Sequence, residues 1–196
     1  MDNSLLIGFG VIVTLFGLNF VDLQNQLDQP DSNKKIIAIS YINQNNIKGT
    51  VTFTETDNNN LTVDININGL PANSKLGFHI HEAGDLTDGC TSTCSHLNPY
   101  KSVHGGRDSA TRHVGDLGNI ETNQFGACIM SFTDHMIKLR GYKQNIIGRS
   151  VVIHEKTDDL GLGKNEESLK TGNAGKRIAC AVIGYSKNNF LTKPNL

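Results

Sequence analysis

Residues 61–68 read Leu-Thr-Val-Asp-Ile-Asn-Ile-Asn, with Leu61, Val63, Ile65 and Ile67 alternating against Thr62, Asp64, Asn66 and Asn68. Successive side chains of a strand point to opposite faces, so this period of two predicts a strand with one side buried and the other wet. Upstream, Ile47–Glu55 repeats the pattern with Val51 and Phe53 on one face, and Asn58-Asn59-Asn60 between the two runs supplies a turn. Further strand-like runs are Ile36–Ile42, Lys75–His81, Asp116–Glu121, Ala127–Thr133, Ser150–His154 and Arg177–Gly184. About eight short strands without a long helical pattern predict an all-β sandwich or barrel. Two connections, Glu82 to Gly115 and Glu155 to Lys176, are too long for hairpins, and ordered loops of that length usually carry function.

The composition agrees. The 196 residues are 37% hydrophobic and 19% charged, enough for one domain with a real core. The absence of Trp, 6% aromatics and 20 glycines favour strands and tight turns over a helical bundle. A net charge of −1 argues against a nucleic-acid module, which carries a basic excess. Four cysteines are too few for a disulfide scaffold and badly spaced for a zinc finger. One structural disulfide and two free thiols is the simplest reading. Asn3–Val21 is uncharged and holds the apolar run Leu5–Phe16, at the lower edge of a membrane-spanning length. It reads as a membrane anchor or a cleaved signal, with a buried or irrelevant extension as the third reading, although only Asp2 precedes it where a signal wants basic residues. The polar stretch Asp22–Lys35, with Pro30, reads as a linker. The expected organisation is an apolar segment and linker over 1–33, a domain over 34–186 and a tail over 187–196.

Histidine supplies the chemistry. His79 and His81 are two apart on an expected strand, so both project from one face; alone, such a pair reads as a polar strand face. His96, His104 and His113 follow in the first long loop, with Asp116 just after, and three His with one Asp make the closed four-ligand set that Zn²⁺ prefers. His154 ends a later strand beside the second long loop. Six His and one Asp are too many for one zinc, but serve two ions if one imidazole is shared through both nitrogens. A site of three or four imidazoles suits Cu²⁺, near the top of the divalent affinity series. The donors thus point to an adjacent copper and zinc.

The run Gly77-Phe78-His79-Ile80-His81-Glu82-Ala83-Gly84-Asp85 resembles the first signature of the copper–zinc superoxide dismutases, and Gly172-Asn173-Ala174-Gly175-Lys176-Arg177-Ile178-Ala179-Cys180 resembles the second. His113-Val114-Gly115-Asp116-Leu117-Gly118-Asn119 and His154-Glu155-Lys156 match in order and spacing. The similarity runs from about Lys34 to Gly184 and is nearest the eukaryotic intracellular form, in which the N-terminal apolar segment has no counterpart. It implies an eight-stranded Greek-key β-barrel or sandwich of immunoglobulin-like type. The implied activity converts superoxide to dioxygen and hydrogen peroxide, with one copper and one zinc per subunit.

The resemblance assigns copper to His79, His81, His96 and His154, and zinc to His96, His104, His113 and Asp116, with His96 as the bridge. It makes Asp158 the carboxylate that accepts hydrogen bonds from His79 and His104, fixing their ring orientation. Arg177 corresponds to the arginine that holds the anion beside copper, and His96 to the ring that carries a proton in the cycle. Thr171 narrows the channel, and Lys156, Glu166, Glu167 and Lys170 match the charged loop that guides superoxide inward; taken alone, those four read nearly as well as a solvated face. Cys90 and Cys180 correspond to the family disulfide, which would close a loop worth about 4–5 kcal/mol in the chain-entropy model. That leaves Cys94 and Cys128 as extra thiols.

Two other readings compete. A non-catalytic relative, such as a copper-chaperone-type domain, would lose copper ligands or the arginine, and this chain keeps them. A zinc-stabilised structural domain on a membrane anchor would not need His79, His81 and His154. The resemblance also implies a homodimer through Gly84, Ile147, Gly148 and Gly184, although Ala83 stands where an aromatic is common and Tyr185 replaces a smaller aliphatic. A copper chaperone is a further expected partner, nucleic acid is not, and membrane contact would run through residues 5–21. The expected location is therefore a membrane or the outside of the cell, with a cytoplasmic or virion-associated protein as the alternative.

Overall fold

The structure, a computed structural model, describes Lys35–Phe190. The expected apolar segment and linker, and residues 191–196 of the expected tail, lie outside the described residues. Eight strands follow: β1 Ile37–Gln44, β2 Ile47–Glu55, β3 Leu61–Asn68, β4 Lys75–His81, β5 Asp116–Glu121, β6 Cys128–Asp134, β7 Ser150–His154 and β8 Arg177–Tyr185. All pairings are antiparallel. The spatial order is β5-β4-β7-β8-β1-β2-β3-β6, and the two edge strands approach each other, so the sheet curls into a nearly closed barrel. The β3–β4 connection therefore passes over β6 and β5, and the β6–β7 connection over β5 and β4, which is the Greek-key path.

The alternation of β3 sets the inside. Leu61, Val63, Ile65 and Ile67 are at most 2% exposed, while Asp64, Asn66 and Asn68 face solvent. Register carries the pattern across the sheet: Val51 lies opposite Ile65, and Ile65 opposite Met130. From the other side of the barrel Leu76, Phe78, Ile80, Val151, Ile153, Ala179, Ala181 and Ile183 complete the core. Each large side chain so buried contributes about 1.5–3 kcal/mol. Asn59, with a left-handed φ of 56°, makes the β2–β3 turn that a β-branched residue would resist.

β4 and β7 differ from β3 because their second face is covered as well. Gly77, His79 and His81 on β4, and Ser150, Val152 and His154 on β7, are all buried. The long loops Glu82–Gly115 and Glu155–Lys176 lie over this face. The first contains a short 3₁₀ turn, Thr91–Thr93, and the second a four-residue helical turn, Ser168–Thr171. Contact with the barrel also continues past the expected domain end at residue 186: the Asn189 side chain accepts from the Ile37 N–H at 2.9 Å and donates to its carbonyl at 2.6 Å.

Candidate metal centre

β4 projects His79 and His81 from its covered face, and β7 ends on His154 beside them; the His79 and His154 ring centroids are 4.9 Å apart. Register shifts at Gly77–His79 and Ile153–His154 re-aim the strand ends here. The first loop folds His96 over the strand, its ring centroid 4.0 Å from that of His79 and 5.0 Å from that of His81. A Cβ on Gly77 would crowd Ala174, the His79 ring and His154, so glycine leaves the room these groups occupy.

Two donor sets result. In the first, His79, His81, His96 and His154 place ligand atoms within 4.8 Å of one another, and all four residues are buried. Each ring is turned by a hydrogen bond from its other nitrogen. His79 Nε2 donates to Asp158 at 2.8 Å, His81 Nδ1 to the Cys94 carbonyl at 2.8 Å, and His154 Nδ1 to the Gly175 carbonyl at 3.0 Å. The nitrogens aimed inward, His79 Nδ1 and Nε2 of His81, His96 and His154, are buried and make no hydrogen bond. Four orphaned imidazole nitrogens converging on one point cost several kcal/mol in an apolar setting and fit a borderline-soft cation such as copper.

The second set is His96, His104, His113 and Asp116. Asp116 Oδ1 lies 2.8, 3.0 and 3.0 Å from Nδ1 of His96, His104 and His113. Donors around a tetrahedral ion with bonds of about 2.0 Å are about 3.3 Å apart, so this spacing fits zinc. Asp116 Oδ2 is taken up separately by the amides of His113 at 2.8 Å and Gly105 at 3.1 Å, which leaves Oδ1 for the cluster. His96 belongs to both sets, Nδ1 facing one and Nε2 the other.

Asp158, completely enclosed, joins them from behind. Its two oxygens accept from His79 Nε2 and His104 Nε2, each at 2.8 Å. Gly172, at a φ of +67°, lets the second loop pass directly over this carboxylate, where a Cβ would overlap Asp158 and His104.

The electrostatics of the two sets are opposed. Burial lowers His79 to about 3 and His154 to about 4, and drives His81 and His96 down as well; the neighbouring His96 ring adds to the shift at His79, His81 and His154. At His104 burial works the same way but is outweighed by hydrogen bonds to Asp116 and Asp158, which raise it to about 9. Burial alone would raise both carboxyls; hydrogen bonds from the histidines instead bring Asp158 to about 2 and Asp116 well below its ordinary range.

A cleft between the two loops opens onto the first set. His81, His96, His154, Lys156, Glu166, Glu167, Lys170, Thr171 and Arg177 line it, so the expected guidance residues all border the same cleft. Arg177 Nη1 donates to the carbonyls of Cys90 at 2.7 Å and Thr91 at 3.1 Å and to Thr93 Oγ1 at 3.0 Å, and Nη2 donates to the Cys94 carbonyl at 2.6 Å. Its charge helps hold His81 and His154 neutral. Lys170 pairs with Glu166 at 3.3 Å, and Thr171 Oγ1 donates to Glu167 at 2.6 Å. Cys90 and Cys180 are disulfide-bonded, Gln44 accepts from the Cys180 amide beside them, Cys94 is an exposed free thiol and Cys128 a buried one.

Reading the sequence did not single out the cleft residues Lys101 and Lys176, the Cys94 carbonyl that seats both His81 and Arg177, or Gly172 as the cover of Asp158. It also passed over Arg112, next to His113, whose guanidinium is buried against Asp134. A lone basic residue in a loop reads as surface, and its partner comes 22 residues later. Among the described residues no helix is long and apolar enough to cross a membrane.

Residues 47–183 match the family model of copper/zinc superoxide dismutase. The chain is 54% identical over 180 residues to a Cu-Zn superoxide dismutase of Paramecium bursaria Chlorella virus 1, covering 92% of this chain and 95% of that protein. It is 54% identical over 141 residues to one of Cryptococcus neoformans, covering 71% of this chain and 91% of the other. An extracellular Cu-Zn superoxide dismutase of Drosophila melanogaster is 52% identical over 159 residues, 78% of this chain and 87% of that one. Among solved structures, the clock protein EA4 superposes with a TM-score of 0.76 at 42% identity, covering 81% of this chain and 99% of that one.

Proposed function

This chain belongs to the copper/zinc superoxide dismutase family and converts superoxide to dioxygen and hydrogen peroxide, and we propose that His79, His81, His96 and His154 hold its copper while His96, His104, His113 and Asp116 hold its zinc. The observation that carries the assignment is the set of orphaned nitrogens: every buried imidazole nitrogen that faces the first cluster lacks a partner, and every opposite nitrogen is tied to an oxygen.

Held by His79, His81, His96 and His154, copper would supply one-electron exchange with superoxide, and zinc held by His96, His104, His113 and Asp116 would supply a fixed positive charge. Two superoxide anions and two protons thereby give one dioxygen and one hydrogen peroxide. Arg177, braced by three carbonyls and a hydroxyl, holds a compact anion at the mouth of the cleft without having to reorganise. His96 directs Nε2 into the same pocket, where this nitrogen, when not holding copper, would carry a proton to the product while Nδ1 remains in the zinc set with Asp116. Asp158 keeps the His79 and His104 rings from turning. Lys156 and Lys170, with Glu166 and Glu167, shape the field along the cleft, and Thr171 limits its width.

Arg177→Glu tests the reading. With both metals retained, the rate measured by pulse radiolysis should fall tenfold or more and lose its decline with added salt, because a repulsive local charge replaces an attractive one. Arg177→Ala should fall between. Equal rates in the parent and the Glu variant at matched metal content would sink the role of Arg177, and no activity in fully copper-loaded parent would sink the site.

The dimer patch is part of the same proposal. Gly84 packs so closely on Gly148 and Val182 that a Cβ would not fit there, and we place Ile147 and Gly184 in the same patch. Its glycines and apolar side chains suit a second copy, and a monomer by light scattering at micromolar concentration would refute it. The match to the viral relative covers enough of this chain to extend before Lys35. We assign residues 5–21 to membrane contact, as anchor or cleaved signal, and mass spectrometry of the natural N-terminus separates the two. Loading by a copper chaperone completes the set of expected partners.

A further inference from the structure

We infer that Arg112 is the positioning residue of the zinc half of the centre, acting with Asp134 to lock the turn that carries His113 and Asp116; this rests on the metal assignment above. Arg112 is 2% exposed, and the side chains of both it and Asp134 are fully enclosed. One end of the guanidinium, Nη1, donates to the Asp116 carbonyl at 2.8 Å and to those of Val114 and His113 at 3.4 and 3.5 Å. The other end, Nη2, meets Asp134 Oδ2 at 2.5 Å. Asp134 is itself fixed, since its Oδ1 accepts from the amides of Met136 at 2.8 Å and Ile137 at 3.0 Å just after β6.

The consequence is geometric. The turn His113–Asp116 delivers two zinc donors, and three of its four carbonyls, those of His113, Val114 and Asp116, close on one planar group anchored to the barrel wall, while that of Gly115 accepts from the Ile80 amide. The Asp116 residue is gripped twice, by its carbonyl through Arg112 and by its carboxylate through the amides of His113 and Gly105. Removing the guanidinium frees the turn to rotate and carries Oδ1 out of the cluster. Only arginine fits, because its rigid fork serves the carbonyls on one side and a carboxylate on the other, whereas an ammonium cannot span both. Asp134 also neutralises a positive charge that would otherwise stand beside the zinc donors. The hydrogen bonds of Arg112 and Asp134 go to the His113–Asp116 turn, to each other and to the chain after β6, and none goes to His79, His81 or His154.

The test replaces zinc by Co²⁺, whose tetrahedral visible absorption reports this site directly, and titrates it against a chelator in the parent, Arg112→Lys and Asp134→Asn chains. Arg112→Lys keeps the charge and loses the fork; Asp134→Asn keeps the fork and loses its anchor. Both should weaken Co²⁺ about 10–100-fold and distort the tetrahedral spectrum, while the copper absorption changes far less. Unchanged Co²⁺ affinity and spectrum in a folded Arg112→Lys chain would overturn the inference, even if its melting temperature fell. If Arg112→Lys fails to fold, parent-like affinity in Asp134→Asn overturns it equally. A parent that gives no tetrahedral Co²⁺ spectrum would overturn the metal assignment itself, and a variant series is then not needed.

Discussion

Strands β3 and β4 are both built on alternation, yet they are stabilised by different physics. In β3 the polar face looks into water, so the strand needs only that Leu61, Val63, Ile65 and Ile67 be apolar. In β4 the second face is buried too, and its polar members His79 and His81 must find partners inside the protein. They find them in two loops that, besides the core residues Leu97 and Val114 of the first, are held by ring–carboxylate bonds, a disulfide and the donor sets. The open half of the barrel is a matter of burial. The covered half is a matter of satisfied polar atoms, and the nitrogens left over there are the chemistry.

Stripping both metals should break this contrast most visibly. Structural zinc contributes on the order of 10 kcal/mol in small domains, so the melting temperature should fall on the order of 20 °C. Hydrogen exchange followed by mass spectrometry should show the lost protection in 82–115 and 155–176, with β2 and β3 far less affected. Uniform loss across both halves would mean that the halves are not separable. Ile65→Ala makes the opposite cut: a cavity costing about 2–5 kcal/mol, nearly the same with and without metals, as read by denaturant melts of both forms. A cost that appears only in the metal-loaded protein would contradict the division.

Asp158→Asn sharpens the covered half. Losing an acceptor shared by a copper and a zinc ligand should weaken both ions by about 10–100-fold, measured by chelator competition; loss of one ion alone would show that the two sets are held independently. A smaller effect separates the sets by their protons. His104, raised to about 9, is protonated near neutral pH in the metal-free protein, whereas burial keeps His79 and His154 neutral. Added alone to the metal-free chain at pH 7.5, zinc should therefore release about one proton and copper close to none, as calorimetry in buffers of different ionisation enthalpy reports. Equal release would show that His104 carries no extra proton. Least of all, Asn66→Ala on the wet face of β3 should shift stability by under about 0.5 kcal/mol; a larger change by thermal melt would mean that this face is not simply solvated.

The same contrast explains what the sequence disclosed. β3 and its neighbours were legible because alternation is local, and the strand bounds differ from expectation by one or two residues, as where β1 runs on to Gln44 and β8 to Tyr185. His79 and His81 were legible as sharing one face for the same reason, and the remaining donors through motifs of fixed spacing. The braces were not. Arg112 with Asp134, Gly172 over Asp158, and the Cys94 carbonyl beneath both His81 and Arg177 are contacts between distant segments. No local period marks them, and each residue alone reads as ordinary loop.

His96 turns one nitrogen to each donor set, and that single ring makes the two ions thermodynamically linked. Whichever ion were held first would fix the tilt of the ring, so the entropy of fixing it would be met once, and the second would have to displace the proton left on the opposite nitrogen. The factor by which zinc alters copper affinity must equal the factor by which copper alters zinc affinity. A cell that supplies only one of the two ions thus also adjusts, by that same factor, how tightly the protein will hold the other.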